Sequence, residues 1–307
     1  MTPAAAGAGL TRRLEGGAPL ILDGAMGSEL HRRGLAIRLP LWSAQALLEH
    51  PKIVRDLHSE HAEAGADILT ANTFRTNPRT LERCGLGPRQ AELSRLAVHL
   101  AREAAERSGA AEGTFVAGSV APVEDCYRPD LVPPAAELQR EHRQMARSLA
   151  DAGSDLLLVE TMNTLREARV ALEAARATGL PVWVSFMTRS ATELLSGEDL
   201  AGAARAVACA GASAVLINCA PLAAVGEAFK TLRRSVDLPC GLYPNHGHRQ
   251  AGHGWRSDPL DAQRFEQLAE GWFRQGARIV GGCCGTTPQH VRIIASVRAS
   301  VLRSKQA

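Results

Sequence analysis

The sequence predicts an α/β protein folded as a single closed (β/α)8 barrel of the TIM type. Three observations carry that prediction. Eight short apolar runs recur along the 307 residues, at 20–23, 67–70, 115–118, 155–160, 181–187, 214–218, 240–243 and 278–282. Longer segments between them place apolar residues at mixed three and four spacing, as in Leu93, Leu96, Ala97 and Leu100, the signature of amphipathic helices. Runs such as Leu156-Leu157-Leu158-Val159 are continuously apolar, which suits parallel strands covered by helices. Eight such units in about 290 residues fit a closed barrel better than an open sheet. A doubly wound sheet usually carries a Gly-rich phosphate turn after its first strand, and Asp23-Gly24-Ala25-Met26-Gly27 lacks the third glycine.

Taken in order, the chain opens on an Ala/Gly-rich stretch, so residues 1–10 are expected to form a disordered tail and 11–307 the barrel domain. Three helix-to-strand joints repeat one pattern: Ala64-Gly65-Ala66-Asp67, Ala152-Gly153-Ser154-Asp155 and Gln275-Gly276-Ala277-Arg278. A glycine there takes the left-handed conformation that ends a helix and turns the chain into the next strand. With 35 Lys+Arg against 32 Asp+Glu and no long basic run, no nucleic-acid footprint exists. No stretch approaches ~18 consecutive apolar residues, which argues against a membrane span. Seven cysteines, two of them adjacent, suit reduced thiols or a metal site better than a disulfide framework. A cytoplasmic protein acting on small molecules, as a monomer or homodimer, is expected.

Barrel chemistry sits at the C-terminal strand ends. Those ends read Asp23-Gly24-Ala25-Met26, Asn72-Thr73-Phe74, Gly118-Ser119, Glu160-Thr161-Met162-Asn163, Asn218-Cys219, Tyr243-Pro244-Asn245-His246 and Gly282-Cys283-Cys284-Gly285-Thr286. Cys219 follows the sixth strand, and Cys283 with Cys284 the eighth, next-but-one neighbours around the rim. Three thiolates converging there make a soft tetrahedral Zn2+ site with one open position, the catalytic rather than structural arrangement. Cys84, Cys209 and Cys240 read as packing or surface residues, while Cys126 sits in a loop able to reach the mouth. His246, His248 and His253 lie in a Gly-rich segment that reads as a lid or solvated loop. His58 and His61, three apart on a helix, are expected to face water.

Glu160 ends a very apolar strand, where an unpaired carboxylate is costly; its partner is a ligand ammonium or a structural Arg. Asp23 has the same readings, plus a third as anchor of its own turn. Trp42 or Trp255 either covers a bound cation or packs.

These residues resemble the zinc-dependent homocysteine S-methyltransferase family over nearly the whole chain. Residues 21–27, Glu160-Thr161, Asn218-Cys219 and the run 281–288 are similar to its signature segments. Leu41-Trp42-Ser43-Ala44 and Tyr243-Pro244-Asn245 are most similar to the branch that uses S-methylmethionine, whereas residues 118–130 and the His-rich seventh loop depart from it. The resemblance implies a methyltransferase with zinc on the catalytic residues Cys219, Cys283 and Cys284. It also implies a substrate-binding set of Asp23, Gly24, Ala25, Met26, Glu160, Thr161 and Asn218, with Glu160, Asp23 and the backbone near Ala25 and Met26 on the amino acid's ammonium and carboxylate. The implied reaction moves a methyl group from a sulfonium donor to the homocysteine thiolate, giving methionine. Three anionic ligands leave electron density on a bound sulfur and favour a cationic donor. The alternatives are S-adenosylmethionine, a betaine or another thiol and donor pair in the same site. From another class comes a non-catalytic zinc or thiol redox sensor. A Schiff-base barrel enzyme fits poorly, because none of Lys52, Lys230 and Lys305 ends a strand.

Overall fold

The computed structural model describes residues 3–109, 113–250 and 254–304. The strands of the barrel are β1 (Leu20–Ile21), β2 (Ile68–Thr70), β3 (Phe115–Val120), β4 (Leu156–Met162), β5 (Val182–Phe186), β6 (Ala214–Pro221) and β7 (Cys240–Asn245). A small antiparallel hairpin, β8 (His248–Gln250) and β9 (Gly254–Arg256), then precedes the last barrel strand, β10 (Ile279–Val280). Eight parallel strands run in the order β1-β10-β7-β6-β5-β4-β3-β2, and a parallel bridge between Leu22 and Ile68 joins the two ends. This is the predicted (β/α)8 barrel.

The helices are α1 (Pro3–Glu15), α2 (Gly27–Arg32), α3 (Gln45–Glu49), α4 (Pro51–Glu63), α5 (Pro78–Arg83), α6 (Gln90–Arg107), α7 (Ala135–Asp151), α8 (Leu165–Arg176), α9 (Leu200–Cys209), α10 (Val225–Ser235), α11 (Ala262–Arg274) and α12 (Pro288–Ser304). Thr164, Asp199 and Asp261 cap α8, α9 and α11 through their side-chain oxygens, satisfying N–H groups a helix start leaves open. Gly65, Gly153 and Gly276 have φ of 102°, 90° and 90°, the left-handed joints expected from their sequence.

Strand alternation explains where the site lies. Successive inward residues are Phe115 and Ala117 on β3, Leu156 and Leu158 on β4, Trp183 on β5, and Ala214 and Leu216 on β6, all in one buried cluster. Two residues further along each strand stand Ser119, Glu160, Ser185 and Asn218. The barrel therefore changes from an apolar plug to a polar floor within one repeat of the pleat.

Two expectations are corrected. Residues 1–10 were expected as a tail, yet α1 covers Pro3–Glu15, and Leu10 and Leu14 join the barrel's inner apolar cluster. Asp67 holds this end by accepting from Arg13 at 2.8 Å and from Arg298. A short helix gains its stability from such docking rather than from propensity. Leu10→Ala is expected to cost about 2 kcal/mol in urea unfolding; no change in midpoint would show that α1 does not plug the barrel. His58 and His61, expected to face water, are fully buried on the inner face of α4 beside Val54 and Leu57.

Candidate metal centre and active site

The sulfur atoms of Cys219, Cys283 and Cys284 all lie within 4.8 Å of one another, and those of Cys219 and Cys283 are 3.0 Å apart. Among the described residues they are the group of this kind able to hold a metal ion. Backbone irregularity brings them together. The β6–β7 register slips between Asn218 and Pro221, and Cys219 takes a left-handed φ of 53°. A bulge of this kind re-aims one side chain, so that Asn218 and Cys219, consecutive in the chain, both serve the mouth. The β4–β5 pairing slips in the same way beyond Val159, with Thr161 at φ 61°. Asn218 ties the two bulges together. Its Oδ1 accepts from the Thr161 N–H at 3.0 Å and the Ser185 hydroxyl at 2.7 Å, while its Nδ2 donates to the Thr161 hydroxyl at 2.7 Å.

On the other side, the Cys283-Cys284 turn is pinned from three directions. The Cys283 N–H donates to the Pro244 carbonyl at 2.9 Å, and the His246 N–H to the Cys284 carbonyl at 2.8 Å. The Gly285 N–H donates to the Ser28 hydroxyl at 2.7 Å. Gly285 has φ 84°, and a Cβ there would stand 1.7 Å from the His246 carbonyl oxygen. A Cβ on Gly282 would stand 2.2 Å from the Thr286 hydroxyl, so both glycines framing the pair are required by space.

The three thiols do not titrate alike. Hydrogen bonds from Cys219 and then Cys283 hold the Cys284 thiol well below its ordinary value. Hydrogen bonds with Cys283 and then Cys284, together with burial, push Cys219 up. For Cys283 the hydrogen bond with Cys219 lowers it, but the one with Cys284 and burial outweigh that and push it up. The first thiolate forms easily, and its charge opposes the next two. A divalent cation resolves that conflict, since three soft sulfur donors at this spacing neutralise and hold one ion. The cluster therefore fits a metal on the chemistry of its donors.

The cluster opens into a cavity of about 1390 Å³ whose walls also include Asp23, Gly24, Ala25, Met26, Glu160 and Thr161. Glu160 is 7 % exposed and accepts from the Ser119 hydroxyl at 2.5 Å and the Tyr243 hydroxyl at 3.1 Å. No arginine, lysine or histidine among the described residues pairs with it, so the structural-arginine reading does not hold. Burial pushes its carboxyl up to about 7. Asp23 is pushed up to about 8 by burial, although the Thr70 N–H and hydroxyl donate to it at 2.8 and 2.9 Å. It thus anchors the β1–β2 seam as well as facing the cavity. Behind it, burial lowers His58 to about 3 and His61 to about 4, so both are neutral packing groups.

Trp42, Trp255 and Tyr127 also line the cavity. Cys126 does reach it, although it stands outside the three-sulfur group. His246 is not part of a solvated loop: it is 8 % exposed, its Nδ1 lies 2.8 Å from His290 Nε2, and Phe265 packs edge-on to His290. His248 is on the exposed hairpin with Asp258 nearby, and His253 lies outside the described residues. Sequence reasoning gave Ser119, Ser185 and Tyr243 no role. Their signal was the inward two-residue phase of each strand, continued one step past its apolar part.

Comparison with known proteins gives a consistent assignment. The sequence model described as homocysteine S-methyltransferase matches residues 20–298. Homocysteine S-methyltransferase 3 of Zea mays is 31% identical, over 91% of this chain and 89% of its own length. The homocysteine S-methyltransferase of Escherichia coli (strain K12) is 33% identical, over 89% of this chain and 93% of its own. The crystal structure of the metallated form of the Escherichia coli homocysteine methyltransferase MmuM superposes with a TM-score of 0.80, at 30% identity and covering 91% of this chain and 96% of that one. No helix of the described residues is long and apolar enough to cross a membrane. The barrel, the sulfur cluster and these likenesses together place the chain in the homocysteine S-methyltransferase family, as an enzyme of that type.

Proposed function

We propose that the protein transfers a methyl group from a sulfonium donor, S-methylmethionine, to the thiolate of L-homocysteine, giving methionine, with Zn2+ held by Cys219, Cys283 and Cys284. The observation that carries this reading is the pairing, in one cavity, of three convergent sulfurs with a buried carboxylate that has no cationic partner among the described residues. When bound, zinc supplies ionisation of the acceptor thiol at neutral pH, where a free thiol of pKa ~8.5 is mostly protonated.

The chain does the rest by positioning. Glu160, held by Ser119 and Tyr243, takes the amino acid's ammonium. The Ala25 N–H is occupied by the Thr286 hydroxyl at 3.2 Å; those of Gly24 and Met26 donate to no described residue and take the carboxylate. Asn218 locks the bulges carrying Thr161 and Cys219, which fixes ammonium site and sulfur site relative to one another. A new bond forms between the acceptor sulfur and the methyl carbon as the donor's S–CH3 bond breaks. Its electron pair stays on the departing thioether, and the acceptor's proton has already left to solvent. Charge is cancelled in this step, so the recessed, partly apolar mouth favours it over a wet one. The test is a panel of S-methylmethionine, S-adenosylmethionine and a betaine with homocysteine as acceptor, scored for methionine. Methionine from S-methylmethionine alone is expected; none from any donor would reject the reading.

Glu160 also sets a pH dependence. Its carboxyl titrates near about 7 rather than the usual 4.5, because burial disfavours the charged form. Below that value the empty site is protonated, and an ammonium must first displace the proton. Methionine is the clean probe, as its thioether carries no titrating proton. Its affinity is expected to rise up to about tenfold per pH unit from pH 5 to 7 and to level off above. A flat profile in calorimetric titrations would contradict the assignment.

A further inference from the structure

Arg75, just beyond β2, stands on the wall of the same cavity and is 8 % exposed. Its Nη1 donates to the Glu124 carbonyl at 3.1 Å, and its guanidinium carbon lies 5.4 Å from the Phe74 ring centroid. Among the described residues, no carboxylate lies within 4.0 Å of it, and its Nε and Nη2 donate to none. Neighbouring arginines are different. Arg79 is paired with Glu124, Glu137 and Glu141, and Arg83 with Glu124. Those acidic groups are thus consumed. Of the two arginines among the described residues that line the cavity, Arg38 is exposed to water, and Arg75 is the buried one without a carboxylate counter-ion.

A desolvated cation without a partner is costly unless an anion arrives to meet it. Resting on the reading above, homocysteine's charges are already provided for, by Glu160 and by the N–H groups of Gly24 and Met26. We propose that Arg75 binds the carboxylate of the methyl donor, so that the donor class is an onium carboxylate: a cationic methylated centre at one end and a carboxylate at the other. The cationic end is drawn to the sulfur cluster and the carboxylate to Arg75, whose open Nε and Nη2 groups match a carboxylate's two oxygens. Opposite charges at the two ends of the cavity fix which end of the donor meets the acceptor sulfur. Arg75 is then a specificity-determining residue rather than a packing one.

The experiment uses the zinc-loaded enzyme and two donors, S-methylmethionine and its carboxamide, with wild type, Arg75→Gln and Arg75→Lys. Calorimetric binding of each donor is measured beside steady-state KM for donor and for homocysteine. Arg75→Gln is expected to weaken S-methylmethionine binding and raise its KM about 10- to 100-fold. Homocysteine KM and the already weaker carboxamide binding should stay within about twofold, as they do not use the Arg75 charge. Arg75→Lys should recover part of the loss, because the charge remains while the fork is gone. Equal losses for acid and amide would overturn the proposal, as would a loss confined to homocysteine KM or a fall in kcat with both KM values unchanged. Absence of S-methylmethionine binding to the wild type would overturn it too. Tight binding that depends on Arg75, without turnover, would instead reject the methyl-transfer reading and leave this site standing.

Discussion

Cys283→Ser is expected to retain less than about one tenth of an equivalent of zinc after dialysis, against about one equivalent for the wild type. Activity should fall by at least about 10³-fold, since the ion is asked for several kcal/mol of the chemistry. The reason lies in the geometry. Cys283 is 3.0 Å from Cys219 and shares with it and Cys284 a pocket in which no other described side chain completes a ligand set. Its backbone N–H and that of Gly285 are held by Pro244 and Ser28, so the serine variant should fold with the turn intact. Serine offers a harder oxygen of high pKa, which competes poorly for a soft ion. Metal content by mass spectrometry and methionine formation check this together. Full zinc retention, or full activity in metal-free protein, would contradict it.

Glu160→Gln is expected to weaken homocysteine and methionine binding by about 2–3 kcal/mol, roughly 30- to 150-fold, with zinc retained. The substitution keeps shape and one acceptor for the Ser119 and Tyr243 hydroxyls, so what is lost is the charge that meets an ammonium. It should also flatten the rise of methionine affinity between pH 5 and 7. Calorimetry across that range reads both effects. Loss of zinc from the variant would show that the carboxylate serves the metal site, and unaltered affinity would show that the ammonium binds elsewhere.

Much of this site was legible in the sequence. Polar residues ending apolar runs marked the barrel mouth, and the glycine frame of Cys283 and Cys284 marked a turn whose crowding the structure explains. What was not legible depends on tertiary packing. Gly7 and Gly9 each cost a helix about 1 kcal/mol, so the start of the chain read as a tail until Leu10 and Leu14 found the barrel floor. His58 and His61 were misjudged by residue type, although 54, 57, 58 and 61 follow the i, i+3, i+4, i+7 phase of a buried face. The bulges at Thr161 and Cys219 leave no composition signal, because neither residue type favours positive φ. Arg75 was missed because its meaning lies in an absence: neighbouring carboxylates that are all engaged elsewhere.

The central claim is that the Cys219, Cys283 and Cys284 sulfurs hold one zinc ion with a position open to the acceptor thiol. X-ray absorption at the zinc edge, on the loaded enzyme with and without homocysteine, tests it most directly. The account predicts three sulfur neighbours at ~2.3 Å rising to four on adding homocysteine, and no rise on adding methionine at equal occupancy. Fewer than three sulfurs in the resting enzyme, or a count that homocysteine leaves unchanged, would contradict it.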